Sequence, residues 1–289
     1  MDVRLSRQSD AIRLSVSHRM PSGQLGASRH VFNTLIHWFS QSPEAVRSMT
    51  AVATDGFDPT AATFAFSGRP GEAVLLPDSH FFQFQGYEAA RQQALGGLAW
   101  DDRSSEIVWR GAGNGQGRVS FDASAVDDPT VIQRIRLALR MRGVSDHDVK
   151  LVRLEGRYGV FSDDARRLGL VGGWVAEDSW LGRKYALDID GMTNAWSNLL
   201  VRLHYGCCVL KVESQFGYRQ WYYDRLVPFE HYVPVKADMS DLLEQIDWVR
   251  SHEPEARQIA EAGQRFARTL DFTTVRAEAV EIITANWDR

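Results

Sequence analysis

The chain has 289 residues, of which 44% are hydrophobic and 24% are charged. These proportions are ordinary for a folded globular protein and exclude a disordered, collagen-like or coiled-coil chain. The net charge of −4, from 33 basic and 37 acidic residues, argues against a protein that binds nucleic acid through its overall charge. Taken in chain order, helical spacing of apolar residues predicts a helix over 30–47. Short apolar runs predict buried strands over 49–54 and 73–76, and a further helix is predicted over 87–95.

The chain from residue 106 onward alternates between predicted strands and predicted helices. Strands are predicted over 106–110, 149–154, 185–189, 208–212 and 232–235. Helices are predicted over 128–142, 194–205 and 218–226, with another beginning at Ser240 and Asp241. The last 40 residues are predicted to be helical with a break at 270–272. This alternation predicts parallel βαβ units in an α/β fold with a doubly wound sheet.

Two lobes are expected from this pattern. One parallel sheet occupies about 105–250, and the front of the chain has enough strand and helix for a smaller α/β lobe over 1–104. The stretch 96–105 is the predicted boundary. Ligands bind at the carboxyl ends of parallel strands, so we expect the site there, in a cleft between the lobes.

A glycine-rich stretch, W-R-G-A-G-N-G-Q-G-R, follows the first strand of the larger lobe at 109–118. Glycines at alternate positions from Gly111 to Gly117 let backbone N–H groups approach an anion. Arg110 and Arg118 add charge suited to phosphate. The spacing fits neither the dinucleotide fingerprint nor the Walker A motif. A flexible loop with two solvated arginines is therefore an equal alternative.

An Asp-X-Asp pair, Asp188 and Asp190, follows the strand predicted over 185–189. Two carboxylates in this position are typical of transferases that hold a divalent metal ion. The favoured alternative is a turn at the strand end with one buried, hydrogen-bonded aspartate. The small polar residues Thr193, Asn194 and Ser197 then open a helix, where exposed N–H groups can bind an anion. They are more than N-capping requires.

Two further acidic stretches follow strands. In H-Y-V-P-V-K-A-D-M-S-D-L, at 231–242, capping explains either Ser240 or Asp241, whereas Asp238 could meet a sugar hydroxyl. Asp78 follows the apolar run at 73–76 in L-L-P-D-S-H. From the residues alone, a solvated turn aspartate is the favoured interpretation of Asp78.

The runs at 184–214 and 219–242, which contain K-Y-A-L-D-I-D-G-M-T-N and H-Y-V-P-V-K-A-D-M-S-D-L, resemble glycosyltransferase family 90. That family includes animal protein O-glucosyltransferases, fungal capsule xylosyltransferases and bacterial lipopolysaccharide core transferases. Arg118 also lies seven residues after Gly111, which is the family's spacing. The specific resemblance covers about 105–265.

The resemblance implies a GT-B fold of two Rossmann-like lobes, with 105–270 as the nucleotide-sugar lobe and the helix at 271–289 packing back on the first lobe. It implies inverting, metal-independent transfer of a hexose or pentose from a nucleotide sugar, most often UDP-linked, with no other cofactor. Asp78 would be the general base, with His80 as its rival. The residues implied to bind the donor are Arg110, Gly111, Arg118, Lys184, Asp190, Gly191, Thr193, Asn194, Ser197, Arg202, Asp238, Ser240 and Asp241.

The chain also departs from its animal relatives. They carry Ser-Phe-Arg where this chain has Trp196-Ser197-Asn198, and the nearest arginine is Arg202. They carry a glutamate in the stretch that ends at Gln220 here. The adjacent Cys207 and Cys208 predict no disulfide framework, and the first 25 residues lack the apolar core of a secretory signal.

These departures lead us to expect a bacterial, cytoplasmic enzyme acting on lipopolysaccharide core or another lipid-linked saccharide. It would work at the inner membrane face through peripheral contact, without nucleic acid. Two alternatives stay open. One is a metal-dependent GT-A-type transferase that uses Asp188 and Asp190, and the other is a non-catalytic protein that binds nucleotide sugar or glycan.

Overall fold

A computed structural model describes residues 1–16, 28–56, 61–153 and 162–288. The strands in chain order are β1 (Asp2–Arg7), β2 (Ile12–Val16), β3 (Ser48–Val52), β4 (Phe64–Ala65), β5 (Val74–Leu75), β6 (Ile107–Ala112), β7 (His147–Arg153), β8 (Tyr185–Asp188), β9 (Cys208–Val212) and β10 (Val233–Val235). The α-helices are α1 (Arg29–Gln41), α2 (Ser79–Gln83), α3 (Glu88–Ala94), α4 (Gln133–Arg140), α5 (Ser162–Arg167), α6 (Ser197–His204), α7 (Leu242–Ser251), α8 (Glu253–Thr269) and α9 (Phe272–Asn286).

The chain divides into two compact units. The first comprises Met1–Glu88, Phe216–Arg225 and Thr269–Arg289, and the second comprises Ala89–Gln215 and Leu226–Arg268. The predicted boundary at 104 and 105 therefore differs from the observed one. Residues 89–104 join the second unit because Trp100 packs in its core and the Trp100 indole donates to Glu253 Oε1 at 3.1 Å.

The first unit is built on one sheet with the order β2-β1-β3-β4-β5. Strand β1 is antiparallel to β2 and β3, whereas β3, β4 and β5 run parallel. The carboxyl ends of those three strands consequently lie at one edge. Trp38 of α1 is fully buried, and its indole donates to Pro77 O at 3.0 Å. Helix α9 belongs to this unit, where the Phe272 ring lies 5.8 Å from the Trp38 ring.

The second unit contains a parallel sheet with the order β10-β9-β8 and a parallel pair, β6 and β7. One apolar core joins both groups, with Ile107, Leu151, Leu187 and Leu210 all buried in it. The α/β class is confirmed. The prediction of one continuous sheet is not, since the described strands pair as two separate groups.

Three predicted helices are wrong in extent. The helix predicted over 30–47 ends at Gln41, because Ser42 precedes Pro43 and is extended. The helix predicted over 128–142 begins at Gln133, because the Asp128 carboxylate instead accepts from the Thr130 amide at 2.8 Å and closes a turn before it. The helix predicted over 218–226 is a short 3₁₀ turn at Tyr223–Arg225. Four consecutive side chains, from Gln220 to Tyr223, are buried, and consecutive residues cannot all lie on one face of a surface helix.

The helical ending and its break are confirmed. Helix α8 ends at Thr269, and Asp271 caps α9 by accepting from the amides of Thr273 at 2.9 Å and Thr274 at 3.0 Å. The strand predicted over 149–154 corresponds to β7, and Leu154 lies outside the described residues. In the described ranges, no helix combines the length and apolarity that crossing a bilayer requires.

Candidate active site

The carboxyl ends of β8, β9 and β10 share one edge of the second unit, because the three strands are parallel. Asp188, the last residue of β8, is fully buried. One of its carboxylate oxygens accepts from Asn198 Nδ2 at 2.8 Å, and the other lies 3.3 Å from Lys211 Nζ. Asp188 is therefore a buried, hydrogen-bonded aspartate, as predicted, and the absence of a catalytic metal ion stays a prediction.

Asp190 follows two residues later, and its carboxyl group is also buried. Burial raises the pKa of Asp190 to about 6, while the nearby Lys211 charge and a hydrogen bond with Ser214 act in the opposite direction. Its backbone oxygen accepts from Arg134 Nε at 2.9 Å. Asp190 therefore lies buried at this edge of the sheet, where its backbone is held by Arg134 and its pKa is raised.

The glycine-rich loop continues directly from β6 and is shaped by close packing. A Cβ on Gly111 would lie 2.3 Å from Trp109 Cζ2, and a Cβ on Gly117, whose φ is 121°, would lie 2.7 Å from Thr130 O. Gln116 Nε2 donates to Met192 O at 2.7 Å. The loop is thus held against the segment that follows β8, which brings two predicted donor-binding stretches together.

The start of α6 has three features that suit an anion. Trp196 precedes the helix with φ 51° and ψ −110°, and no side chain caps the first turn in the described part of the chain. A tryptophan in this conformation is strained, and such strain clusters at functional sites. The Thr193 hydroxyl is buried and has no hydrogen-bond partner among the described residues. Asn194 is buried beside it in sequence, and Ser197 is the first residue of the helix.

The two arginines of the glycine-rich stretch have different surroundings. The Arg118 side chain is 55% exposed and pairs with Asp128, while its Nε donates to Thr130 Oγ1 at 3.0 Å. The Arg110 side chain is largely buried, pairs with Asp148 and donates to Gly173 O at 2.9 Å. Arg118 therefore keeps an accessible charge, whereas the Arg110 guanidinium is used within the β6–β7 pair.

Lys184 and Arg202 lie away from the strand-end groups. Lys184 precedes β8 and donates to Glu253 Oε1 at 2.6 Å, so it is at the opposite end of the strand from Asp188, roughly 13 Å away at 3.3 Å per residue. Arg202 lies in the last turn of α6, with its guanidinium 3.8 Å from the centre of the Trp180 ring. Neither is placed to join Thr193 and Ser197 at the start of α6.

The polar group after β10 forms a hydrogen-bonded turn. Asp238 Oδ1 accepts from the Ser240 amide at 2.9 Å, and Asp241 Oδ1 accepts from the Lys236 amide at 2.9 Å. Asp241 occupies the N-cap position of α7, but its carboxylate does not cap that helix. These side chains lie at the same sheet edge as Asp188 and shape the turn there.

In the first unit, Asp78 follows β5, as predicted, and is the N-cap of α2. The interpretation of Asp78 as a solvated turn aspartate is wrong, because its side chain is fully buried. Oδ1 accepts from the amides of His80 at 2.9 Å and Phe81 at 3.1 Å, and Oδ2 accepts from Gln220 Nε2 at 3.1 Å. Three donors occupy three of the about four acceptor positions of the carboxylate, and its full burial limits the access of an acceptor hydroxyl. The assignment of Asp78 as base stays a prediction.

His80 and Asp55 lie at the same edge of the first unit. His80 Nδ1 is 3.8 Å from Asp78 Oδ1, and burial lowers the pKa of His80, with Asp78 opposing this. Asp55 follows β3 and is half-buried. Burial raises the pKa of Asp55, against the charges of His80 and His30. Sequence reasoning missed Asp55, although it carries the same signal as Asp78, an acid just beyond a buried strand.

The sequence profile described as "Glycosyl transferase family 90" matches residues 88–284. The chain belongs to glycosyl transferase family 90. Protein O-glucosyltransferase 2 of Danio rerio is 43% identical over 86 residues, which are 30% of this chain and 17% of that protein. Uncharacterized protein 027R of Frog virus 3 is 26% identical over 189 residues, 60% of this chain and 18% of that protein.

This family 90 chain thus matches less than a fifth of each of these two relatives. Among solved structures, Anabaena Alr3699/HepE in complex with UDP and glucose has a TM-score of 0.43 at 14% identity, covering 75% of this chain and 58% of that one. WaaG, a glycosyltransferase involved in lipopolysaccharide biosynthesis, has a TM-score of 0.37 at 17% identity, covering 69% and 51%.

Proposed function

We propose that this family 90 chain is an inverting glycosyltransferase that moves a hexose or pentose from a UDP-linked sugar to an acceptor hydroxyl. The observation that carries the proposal is the edge of the second unit where the glycine-rich loop is tied to the segment after β8. There, the uncapped start of α6 and the buried Thr193 hydroxyl without a described partner supply donors to an anion. A nucleotide diphosphate is the ligand that such donors suit.

Arg118 would supply the charge that meets the diphosphate. Opposite charges about 4 Å apart interact by about 4 kcal/mol at an effective dielectric of about 20, before desolvation. Solvent screening reduces this value for Arg118, whose side chain is half-exposed and already pairs with Asp128. We therefore assign most of the leaving-group stabilisation to backbone N–H groups acting together with Arg118.

The proposed reaction uses no metal ion. The support is the engagement of Asp188, whose two oxygens contact Asn198 and Lys211. A divalent ion at this buried carboxylate would lie next to the Lys211 ammonium group, whose positive charge opposes a second cation. Retention of activity in the presence of a chelator tests this point, and loss of activity that Mn²⁺ or Mg²⁺ restores would favour the GT-A-type alternative.

We infer that the general base is a carboxylate at the strand-end edge of the first unit. We propose Asp55 in place of Asp78, because Asp78 is fully buried and holds three hydrogen bonds. Asp55 is half-buried with a raised pKa, and a raised pKa makes a carboxylate a stronger base. It would accept the proton of the acceptor hydroxyl as that oxygen attacks the anomeric carbon. The bond from that carbon to the diphosphate breaks on the opposite face, and UDP leaves with the electron pair.

The proposal also includes the class of acceptor. We propose a saccharide, either lipopolysaccharide core or another lipid-linked glycan, met in the cytoplasm at the inner membrane face by peripheral contact. A protein hydroxyl is the second candidate, because relatives bear the name protein O-glucosyltransferase.

A transfer assay tests the function. Purified protein is incubated with UDP-glucose, UDP-xylose or GDP-mannose and with a saccharide or a peptide acceptor, and released nucleotide and product are quantified. We expect UDP release that depends on the acceptor. Tight donor binding without release or transfer would instead support a non-catalytic binding protein.

A further inference from the structure

Arg134, on α4, makes an unusual set of hydrogen bonds. Its Nε donates to Asp190 O at 2.9 Å and its Nη2 donates to Ile189 O at 3.1 Å. Its Nη1 donates to Asn114 Oδ1 at 2.8 Å and to Ala112 O at 3.4 Å. One guanidinium therefore spans two separate segments, the glycine-rich loop on one side and the end of β8 on the other.

The packing around this guanidinium is close. A Cβ on Gly191 would lie 3.2 Å from Arg134 Cζ, so the backbone at 191 passes directly against the charged plane. On another side, the guanidinium carbon lies 5.8 Å from the centre of the Trp109 ring. Gly191 is thus explained by close approach to Arg134, a role that the sequence pattern does not reveal.

The charges near Arg134 balance. Burial lowers the pKa of Arg134, while Asp190 and Asp188 raise it. Asp188 also pairs with the buried Lys211. Two cations and two carboxylates are thus grouped beneath the loops, and a buried charge that loses its partner is costly. Such a group resists rearrangement and can fix the geometry of what lies above it.

We propose that Arg134 is a positioning residue that clamps the glycine-rich loop to the segment 189–192, so that the donor's diphosphate meets a preformed set of N–H groups. We call this set of contacts the Arg134 clamp. The identity of the ligand rests on the proposed function. Preformed donors need no reorganisation when the ligand binds, and this lowers the cost of binding.

Lysine cannot replace arginine in this clamp. The guanidinium presents five N–H donors in a rigid plane, whereas an ammonium group presents three donors from one point. Arg134→Lys keeps the charge but cannot hold carbonyls on both sides at once. The uridine part of the donor does not depend on these loops in the proposal, so the loss should fall on the diphosphate.

The test compares the dissociation constants of UDP and uridine, measured by NMR titration. For Arg134→Lys we expect UDP binding to weaken at least tenfold, equivalent to about 1.4 kcal/mol, with uridine binding unchanged within about twofold. The matched control is Arg103→Lys, at another arginine whose guanidinium bridges backbone carbonyls, since it donates to Leu98 O and Gly206 O before β9. It should lower stability without changing the ratio of the two constants.

An unchanged ratio in a folded Arg134→Lys protein would overturn the proposal. If that variant does not fold, Asn114→Ala removes one acceptor of the clamp at a half-buried position and should shift the ratio in the same direction. An unchanged ratio in Asn114→Ala overturns the proposal equally.

Hydrogen exchange separates the clamp from the proposed function. If the wild-type protein binds no UDP, the function fails, while the clamp still requires exchange in 111–117 and 189–192 to rise together in either variant. Exchange that stays at the wild-type rate in both segments refutes it.

Discussion

Replacing Asp190 with asparagine tests the electrostatics beneath the candidate donor site. The pKa of Asp190 rises from 3.8 to about 6 in the folded chain. Two units of pKa correspond to about 3 kcal/mol, at about 1.4 kcal/mol per unit. Because the folded pKa is above the unfolded one, the protonated carboxyl stabilises the fold fully below about pH 4, and this stabilisation is lost as the pH rises through about 6.

Asparagine does not titrate, so the difference between the two proteins isolates this group. We expect the free energy of unfolding of the wild type, relative to Asp190→Asn, to fall by about 2 kcal/mol between pH 4 and pH 7, which is most of the full titration difference. Urea unfolding at a series of pH values measures the difference. Hydrogen exchange of the β8 and β9 amides in the same samples reports on the second unit itself.

Added salt provides the control for this measurement. A buried group is screened much less than a surface charge, so the pH dependence should persist in about 0.5 M NaCl. Salt at about 0.1 M already screens surface charges that are more than about 10 Å apart. A stability difference that stays flat between pH 4 and pH 7, or that grows in favour of the wild type, would refute the account of Asp190.

Four further predictions concern the two units. Arg118→Ala should weaken UDP binding at least tenfold, measured by calorimetry, and unchanged affinity in a folded variant would remove Arg118 from the phosphate site. Asp55→Asn should lower turnover by roughly 10² or more with UDP affinity unchanged; a nearly normal rate, together with a collapsed rate in Asp78→Asn or His80→Gln, would move the base to that residue. A chelator should leave the transfer rate unchanged, and loss restored by Mn²⁺ would contradict this. Asp271→Ala should cost about 1 kcal/mol in thermal or urea unfolding by removing the cap of α9, and no loss would show the cap to be dispensable.

The strands of the second unit were largely predictable because their sequences are short apolar runs between turn residues. Cys208–Val212 is found as predicted, with all five residues buried, as expected for a strand covered on both faces. Strand β1 was not predicted, although Val3 and Leu5 alternate with polar residues in D-V-R-L-S-R, as in a half-buried strand. Its pairing with β2 and β3 establishes it as a strand.

Several features of the site could not be predicted from the sequence, each for a physical reason. Arg134 is one of three arginines in Q-R-I-R-L-A-L-R. Arginine side chains are mostly exposed, and only the packing of the loops shows that the Arg134 guanidinium is buried. Lys184 is close to Asp188 in sequence, but an extended strand carries the two to opposite ends. Asp55 and Asp78 carried the same sequence signal, and their burial is what separates them.

The proposal that the second unit binds a UDP-linked sugar is the central claim. Saturation-transfer NMR with UDP-glucose, UDP-xylose, GDP-mannose and uridine, each added to the wild-type protein and to Arg118→Ala, measures it most directly. We predict strong saturation of the uracil and ribose protons of the UDP sugars and weaker transfer to GDP-mannose. Added UDP should displace the UDP sugars, and Arg118→Ala should raise the UDP concentration needed for this at least tenfold. Equal transfer to all nucleotides, or no transfer to either UDP sugar, would contradict the account.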